Sequence, residues 1–186
     1  MRLFVAIELS DRVRSVLADV QASLGATSHG IRWIPRDRMH LTLKFLGDVP
    51  DRDVDGVAKA VRSVAKELKG FDMEIAGAGC FPPRGPVRIV WAGLQEKSGT
   101  LAECAKQLDQ GLHPLGFPQE LRPFSPHLTL ARLRHDDSDG ALRTAVEKCT
   151  YSPVTQAVSK LTLMSSVLSR KGPTYAPICS ARFSRI

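Results

Sequence analysis

The sequence contains no apolar run that approaches the length of a membrane-spanning helix. Residues 1–8 offer too short an apolar stretch for a signal peptide and no small-residue cleavage site, so we expect a cytoplasmic protein without a membrane partner. No C-x-x-C pair occurs, which disfavours a zinc site and a disulfide framework. The four cysteines are Cys80, Cys104, Cys149 and Cys179. Carboxylate clusters and an H-E-x-x-H motif are also lacking, and we therefore expect no metal and no other cofactor.

The composition is that of an ordinary globular protein with an excess of basic residues. Of 186 residues, 43% are hydrophobic and 24% are charged, which suits one domain, or two lobes that share a cleft. The net charge of +7 favours a polyanionic partner, although a solvated basic face explains it equally well. The basic residues surround two places in the chain. These are Arg32, Arg36, Arg38 and Lys44 at the first, and Arg122, Arg132 and Arg134 at the second.

The same two places carry one four-residue motif, His-Leu-Thr-Leu, at residues 40–43 and again at 127–130. Its alternation of polar and apolar residues is typical of a half-buried β-strand, in which residues i and i+2 share a face. His40 and Thr42 therefore share one face, and His127 and Thr129 do the same in the second copy. The leucines point to the core behind them. Two such strands in one small protein predict a single site with two facing histidines.

The motifs lie 87 residues apart, and the same shift superimposes other predicted elements. We interpret this as an internal repeat of the unit strand–helix–motif strand–helix–strand, with halves at about 1–80 and 87–186. The halves predict a single bilobal domain, 1–186, whose lobes are related by a pseudo-twofold axis. The remaining predicted elements are strands at 2–8, 71–78, 87–94, 154–164 and about 175–183, helices at 11–24, 54–68, 101–112 and 141–149, and a loop at 80–86.

Two facing histidines suit a reaction that needs one general base and one general acid. An unperturbed imidazole has a pKa of about 6.5, so near neutral pH one ring can be neutral and the other protonated. In-line displacement at phosphorus is the natural reaction of such a pair. Thr42 and Thr129 are then placed to bind the non-bridging oxygens, where negative charge accumulates.

Around this pair, the chain resembles the 2H phosphoesterases, and specifically the RNA 2′,3′-cyclic phosphodiesterases historically called 2′-5′ RNA ligases. The similarity runs nearly from end to end and extends beyond the two H-x-T motifs. The matching stretches are residues 2–7, 32–33, 40–47, 126–132, 166–168 and 172–175.

The resemblance implies an α+β fold with two lobes of antiparallel sheet, outer helices and a central cleft. It also implies metal-independent hydrolysis of RNA 2′,3′-cyclic phosphate ends to 2′-phosphomonoesters. By analogy, His127 is the proton acceptor that activates water, and His40 is the proton donor to the departing 3′-oxygen. From the residues alone, the pseudo-symmetry leaves the reverse assignment open.

Four further residues are candidates for substrate binding. Arg132 stands where the family often has a phosphate-contacting arginine, but strict alternation places it on the Leu128 face, away from His127. The family also suggests Phe45 for base stacking, whereas alternation favours core packing beside Leu41 and Leu43. The other two candidates are Lys44 and Trp33. Substrate ends are expected at the loops 25–38, 80–86 and 114–126.

Two alternatives remain open at this point. The same histidines could act on a small cyclic phosphodiester such as ADP-ribose 1″,2″-cyclic phosphate, and joining of RNA ends is the reverse reaction. A basic cleft could instead form a non-catalytic module that binds RNA ends. We expect a monomer whose partner is an RNA or oligonucleotide with a 2′,3′-cyclic phosphate.

Overall fold

The computed structural model describes residues 1–25, 30–169 and 172–184, which form nine strands and four α-helices. The strands are β1 Arg2–Glu8, β2 Arg32–Trp33, β3 His40–Asp48, β4 Phe71–Phe81, β5 Ile89–Gln95, β6 His127–Arg132, β7 Val154–Val158, β8 Lys160–Ser169 and β9 Gly172–Arg182. The α-helices are α1 Asp11–Leu24, α2 Val54–Glu67, α3 Thr100–Leu112 and α4 Ala141–Lys148. Within the described residues, no helix is long and apolar enough to cross a membrane.

The helices follow from capping and periodicity in the sequence. Ser10 caps α1, because its hydroxyl accepts a hydrogen bond from the backbone N–H of Val13 at 3.3 Å. The apolar side chains of each helix recur on one face, which packs against a sheet, so all four helices are amphipathic as predicted. In α1 that buried face consists of Val13, Leu17, Val20 and Leu24.

The strands form two antiparallel sheets. Sheet A has the order β3-β1-β8-β9, and sheet B has the order β2-β6-β5-β4-β7. Helices α2 and α3 pack against sheet A, while α1 and α4 pack against sheet B. The predicted α+β fold with two lobes of antiparallel sheet is therefore confirmed.

Each sheet takes strands from both halves of the sequence. The 87-residue shift carries β1, β3 and β4 onto β5, β6 and β8, so that β3-β1-β8 in sheet A corresponds to β6-β5-β4 in sheet B. Strand β4 of the first half thus belongs to sheet B, and strand β8 of the second half belongs to sheet A. Buried side chains from both sheets and all four helices form one connected core, and Phe4, Ala6 and Met164 of sheet A form a second, smaller cluster. The lobes are consequently the two sheets, not the two halves of the chain.

Several predicted boundaries were wrong, and the strands predicted at 71–78, 87–94 and about 175–183 are Phe71–Phe81, Ile89–Gln95 and Gly172–Arg182 in the structure. The strand predicted at 154–164 is interrupted at Ser159, so that β7 joins sheet B and β8 joins sheet A. Its apolar pattern continues across the break, because both strands are half buried. The loop predicted at 80–86 begins later, since β4 continues to Phe81, which pairs with Ile89.

Candidate active site

A cleft of about 850 Å³ lies between the two sheets. His40, Thr42, His127 and Thr129 all line it, because β3 and β6 are in contact where the lobes meet. Neither threonine hydroxyl has a hydrogen-bond partner within the described part of the chain, so both are available to a ligand. The structure thus brings the two copies of the motif into one site.

Both histidine rings are held in the same way. Nδ1 of His40 lies 2.7 Å from the carbonyl oxygen of Arg38, and Nδ1 of His127 lies 2.9 Å from that of Ser125. A carbonyl oxygen can only accept, so each Nδ1 must carry the proton. Nε2 is then the free nitrogen of each ring, with no partner among residues 1–25, 30–169 and 172–184. In each case Nε2 can accept or donate a proton.

Each motif strand has a β-bulge at the same place, directly after the histidine and threonine. In β3, Ala6 pairs with Thr42 and Val5 with Lys44, so Leu43 is the extra residue. In β6, Trp91 pairs with Thr129 and Val90 with Ala131, so Leu130 is the extra residue. One inserted residue reverses the alternation of side chains beyond it. Both bulges therefore change the face on which the end of the strand presents its side chains.

The bulges overturn two conclusions drawn from strict alternation. Phe45 does not pack in the core: it is 63% exposed, lines the cleft and lies 6.0 Å from Phe4 between ring centroids. Arg132 does not lie on the Leu128 face, because it lines the cleft, as His127 does, and its charge acts on His40. Both residues stand where the family resemblance suggested a substrate contact.

The bulge has the opposite consequence for Lys44. Its side chain turns to the core face, and the residue as a whole is only 3% exposed. The ammonium group is paired with Asp109 of α3 and donates to the carbonyl oxygen of Pro118 at 2.9 Å. It borders the cleft with its charge already neutralised, which does not favour the predicted substrate contact.

Trp33 is not among the residues that line the cleft. It pairs with Ala131 at the edge of sheet B and packs, half buried, against the core. Nothing in this arrangement favours its predicted contact with substrate.

Basic groups dominate the electrostatics of the cleft. Four guanidinium groups line it without an ion pair within the described ranges, and they come from Arg2, Arg38, Arg122 and Arg132. The carboxylates at its wall are those of Asp109, which is paired with Lys44, and Glu120. Such a cleft attracts a phosphate-bearing ligand.

The two imidazoles have different surroundings. His40 contacts the rings of both Phe4 and Tyr175, at centroid distances of 4.9 and 5.1 Å, with the Tyr175 ring edge-on, and those two rings lie 5.2 Å from each other. Burial lowers the pKa of His40, and the positive charges of Arg132 and Arg14 lower it further, against the opposing effect of its hydrogen bond to the Arg38 carbonyl. The ring of His127 contacts that of Phe81 edge-on, at a centroid distance of 5.4 Å.

Sequence reasoning missed several residues of the site. Tyr175 and Phe4 were matched only as parts of similar stretches, and no local pattern shows that both rings contact His40. The carbonyl groups of Arg38 and Ser125 could have been found, because each stands two residues before its histidine. A repeated spacing of this kind is visible in the sequence.

The three loops expected at the substrate ends differ. From 114–126 the cleft receives Glu120, Arg122, Pro123, Phe124 and Ser125, and from 25–38 it receives Ile34 and Arg38. Residues 26–29 of that loop lie outside the described residues. The loop at 80–86 does not line the cleft, and its carbonyl groups instead hold Arg143. In the described part of the chain, no three side chains of His, Cys, Asp or Glu are grouped as metal ligands.

Comparison with known proteins gives one consistent result. A model of the 2′-5′ RNA ligase superfamily matches residues 5–169. The RNA 2′,3′-cyclic phosphodiesterase of Archaeoglobus fulgidus is 30% identical over 176 residues, which are 94% of this chain and 96% of that protein. The RNA 2′,3′-cyclic phosphodiesterase of Thermus thermophilus is 31% identical over 94% of this chain and 86% of that protein.

Solved structures agree over the whole chain. TT0787 of Thermus thermophilus superimposes with a TM-score of 0.80 at 27% identity, over 98% of both chains. E. coli LigT complexed with 3′-AMP has a TM-score of 0.79 at 26% identity, over 99% of this chain and 98% of that one.

Proposed function

The chain belongs to the 2′-5′ RNA ligase superfamily of two-histidine phosphoesterases, and from this premise we propose that it hydrolyses RNA 2′,3′-cyclic phosphate ends to 2′-phosphomonoesters. The observation that carries the proposal is the pair of H-x-T motifs, held alike on the two sides of one basic cleft. Relatives that match nearly the whole chain bear the name RNA 2′,3′-cyclic phosphodiesterase. The partner is then an RNA or oligonucleotide with such an end.

The reaction is an in-line displacement at phosphorus. A water oxygen attacks the phosphorus of the ring while Nε2 of His127 accepts the proton of that water. The bond from phosphorus to the 3′-oxygen breaks, and Nε2 of His40 donates its proton to the departing oxygen. The product carries a 2′-phosphate and a free 3′-hydroxyl, and the two histidines return to their starting protonation by exchange with solvent. Each transfer contributes roughly 10²–10⁴ in rate.

Hydroxyl and guanidinium groups stabilise the charge that builds up on phosphorus oxygens. Thr42 and Thr129 line the cleft on the same strands as the two rings, and their hydroxyls have no hydrogen-bond partner among the described residues. Arg132 brings a positive charge close enough to affect the protonation of His40. Fixed donors of this kind are most effective when aimed at oxygens that gain charge in the transition state. No step requires a metal, and metal independence is part of the proposal.

The lowered pKa of His40 bears on its role as proton donor. In the free protein the shift favours the neutral ring, whereas a donor must be protonated. A bound phosphodiester anion restores the balance, because a nearby negative charge raises the pKa of an imidazole. The proposed donor is therefore charged mainly in the complex.

Phe45 is the proposed contact for the terminal base. Its exposed ring lies at the cleft wall near Phe4, and a base can stack on either ring face. E. coli LigT, which has the same fold, has been solved in complex with 3′-AMP. The cytoplasmic location and the monomeric state stay predictions.

Phosphorus NMR of a short oligonucleotide 2′,3′-cyclic phosphate with the protein and EDTA tests the proposal directly. We expect conversion to a 2′-phosphomonoester, which establishes the reaction, its regiochemistry and its metal independence together. A 3′-phosphate product would keep the histidine pair and change the leaving oxygen. Binding without conversion would favour the RNA-end binding module, and conversion of only ADP-ribose 1″,2″-cyclic phosphate would favour the small substrate.

A further inference from the structure

Lys44 and Asp109 form an ion pair beneath the wall of the cleft. The Lys44 side chain is 2% exposed and that of Asp109 is 17% exposed. The pair joins β3, which carries His40, to α3. Charges are removed from water at this depth only when both are compensated, so each partner depends on the other.

Both partners also hold the chain that follows α3. The Lys44 ammonium donates to the carbonyl oxygen of Pro118 at 2.9 Å. The carboxylate of Asp109 accepts from the backbone N–H of Glu120, at 3.1 Å to Oδ1 and 3.2 Å to Oδ2. Within the described residues 117–126, no helix or strand is formed, so these bonds replace the backbone ladder that would otherwise fix the path of the chain.

The segment 117–126 leads directly into the second motif. It contributes Arg122 and Phe124 to the cleft wall, and the carbonyl of Ser125 accepts the Nδ1 proton of His127. A shift of this segment therefore displaces a cleft cation and the hydrogen bond that orients His127. A misplacement of about 1 Å in such a group can cost 10²-fold in rate.

We infer that Lys44 and Asp109 are positioning residues, which hold the segment 117–126 against β3 and thereby set the substrate-binding wall and the orientation of His127. This inference rests on the proposed function of the same cleft. It assigns Lys44 a role through Asp109 and Pro118, in place of a direct contact with substrate phosphate. The ion pair then links β3 to the segment that leads into β6, in addition to the direct contact between these two strands.

Four variants test the inference: Lys44→Met, Asp109→Leu, Asp109→Asn, and the double variant Lys44→Met/Asp109→Leu. We expect Lys44→Met and Asp109→Leu each to raise KM for a dinucleotide 2′,3′-cyclic phosphate and to lower kcat, so that kcat/KM falls by about 10²-fold. The double variant should be no worse than either single variant, because each single substitution already breaks the same ion pair. Asp109→Asn keeps an oxygen for the Glu120 N–H but removes the charge that compensates Lys44, so it should recover only part of the loss seen in Asp109→Leu. A phosphate-binding Lys44 predicts the contrary, that Asp109→Leu frees the lysine and leaves KM unchanged or lower.

Hydrogen exchange at the Glu120 amide gives a readout that does not depend on activity. We expect exchange at least tenfold faster in Lys44→Met and Asp109→Leu, and a rate between these and the wild type in Asp109→Asn. Lys59→Met is the matched control, since it removes a lysine from an exposed pair with Asp55 on α2 and should change neither readout. If Lys44→Met does not fold, the double variant, which leaves no buried charge unpaired, replaces it.

Unchanged KM together with unchanged Glu120 exchange in the folded variants would overturn the inference. Failure of the wild type to hydrolyse any cyclic phosphate would instead overturn the proposed function. In that case the exchange rates still decide whether the ion pair holds the segment 117–126.

Discussion

The two motif strands are alike up to their bulges and different beyond them. In both, a histidine and a threonine face the cleft, Nδ1 is bound by the carbonyl two residues earlier, and a leucine forms the bulge. After the bulge, β3 presents Phe45 to the cleft, and β6 presents Arg132 at the equivalent position. The histidine and threonine side chains of the two strands are thus equivalent, whereas the residues beyond the bulges are not. Under the proposed function, the two strands approach the phosphate alike, while at this position β3 offers an aromatic ring and β6 a guanidinium group.

The buried side of the strands differs as well. At the first position after the bulge, β3 has Lys44 and β6 has Ala131, and both are buried. Ala131 only fills the core, whereas Lys44 pairs with Asp109. The two imidazoles also have different surroundings, since His40 has two aromatic neighbours and a lowered pKa. The repeat therefore keeps the proposed catalytic groups equivalent while the residues that support them differ.

Removal of either imidazole tests the symmetric part and has the largest expected effect. We expect His40→Ala and His127→Ala each to lower kcat/KM by roughly 10²–10⁴, because each removes one of the two proton transfers. RNA binding should largely survive. Steady-state kinetics on an oligonucleotide cyclic phosphate, with RNA binding measured separately, checks both statements.

His135→Ala is the control for these variants, since His135 is exposed and lies outside the cleft lining. Wild-type hydrolysis by both alanine variants would mean that the site is assigned to the wrong residues. A large loss in only one of them would break the comparison, because one imidazole would then be dispensable.

Substitution of Phe45 and of Arg132, the residues that differ beyond the bulges, tests the difference between the two strands. Phe45→Ala should cost roughly 1–3 kcal/mol in affinity for a substrate with a base, from lost stacking. Its free energy of unfolding should change by only about 0.5 kcal/mol, because the ring is exposed. Arg132→Gln should reduce the dependence of log K on log salt by about 0.7, as expected for one lost phosphate contact. Binding titrations at several salt concentrations, with urea denaturation, give both quantities.

A loss of about 3–5 kcal/mol in the stability of Phe45→Ala would show instead that the ring packs in the core. Equal salt dependence in wild type and Arg132→Gln would show that Arg132 does not bind phosphate. Either result would remove one of the two differences between the strands.

The pH dependence of the reaction tests the smallest difference, the one between the two rings. With His40 as donor, kcat/KM should fall as pH rises through its pKa, which lies below the ordinary value of about 6.5 in the free protein. NMR titration of the His40 ring should show this lowered pKa and a rise when inorganic phosphate is added. Arg132→Gln should raise the pKa of His40 in the free protein, because it removes a nearby positive charge.

A kcat/KM that falls on the acidic side, as pH drops through the same pKa, would make His40 the base and reverse the assignment. An unshifted His40 pKa would remove the distinction between the rings.

The local spacing of polar and apolar residues was sufficient to predict the helices and the face of each motif that carries the histidine. The helices followed from apolar residues at helical spacing, as in α1, and the shared face of His40 and Thr42 followed from strand alternation. Alternation failed at Phe45 and Arg132, because a bulge inserts a residue without any mark in the local pattern. The break at Ser159 was missed for a related reason, since half-buried strands look alike in either sheet.

The sequence by itself determined the two His-x-Thr pairs, the amphipathic helices and the order of the elements, because these depend on residues close together along the chain. Only the tertiary structure decided which side of the bulges faces the cleft, how β4 and β8 are exchanged between the sheets, and that Lys44 meets Asp109 of α3. Those features are settled by pairing between distant segments. The free energy of such pairing depends on partners that the local sequence does not specify.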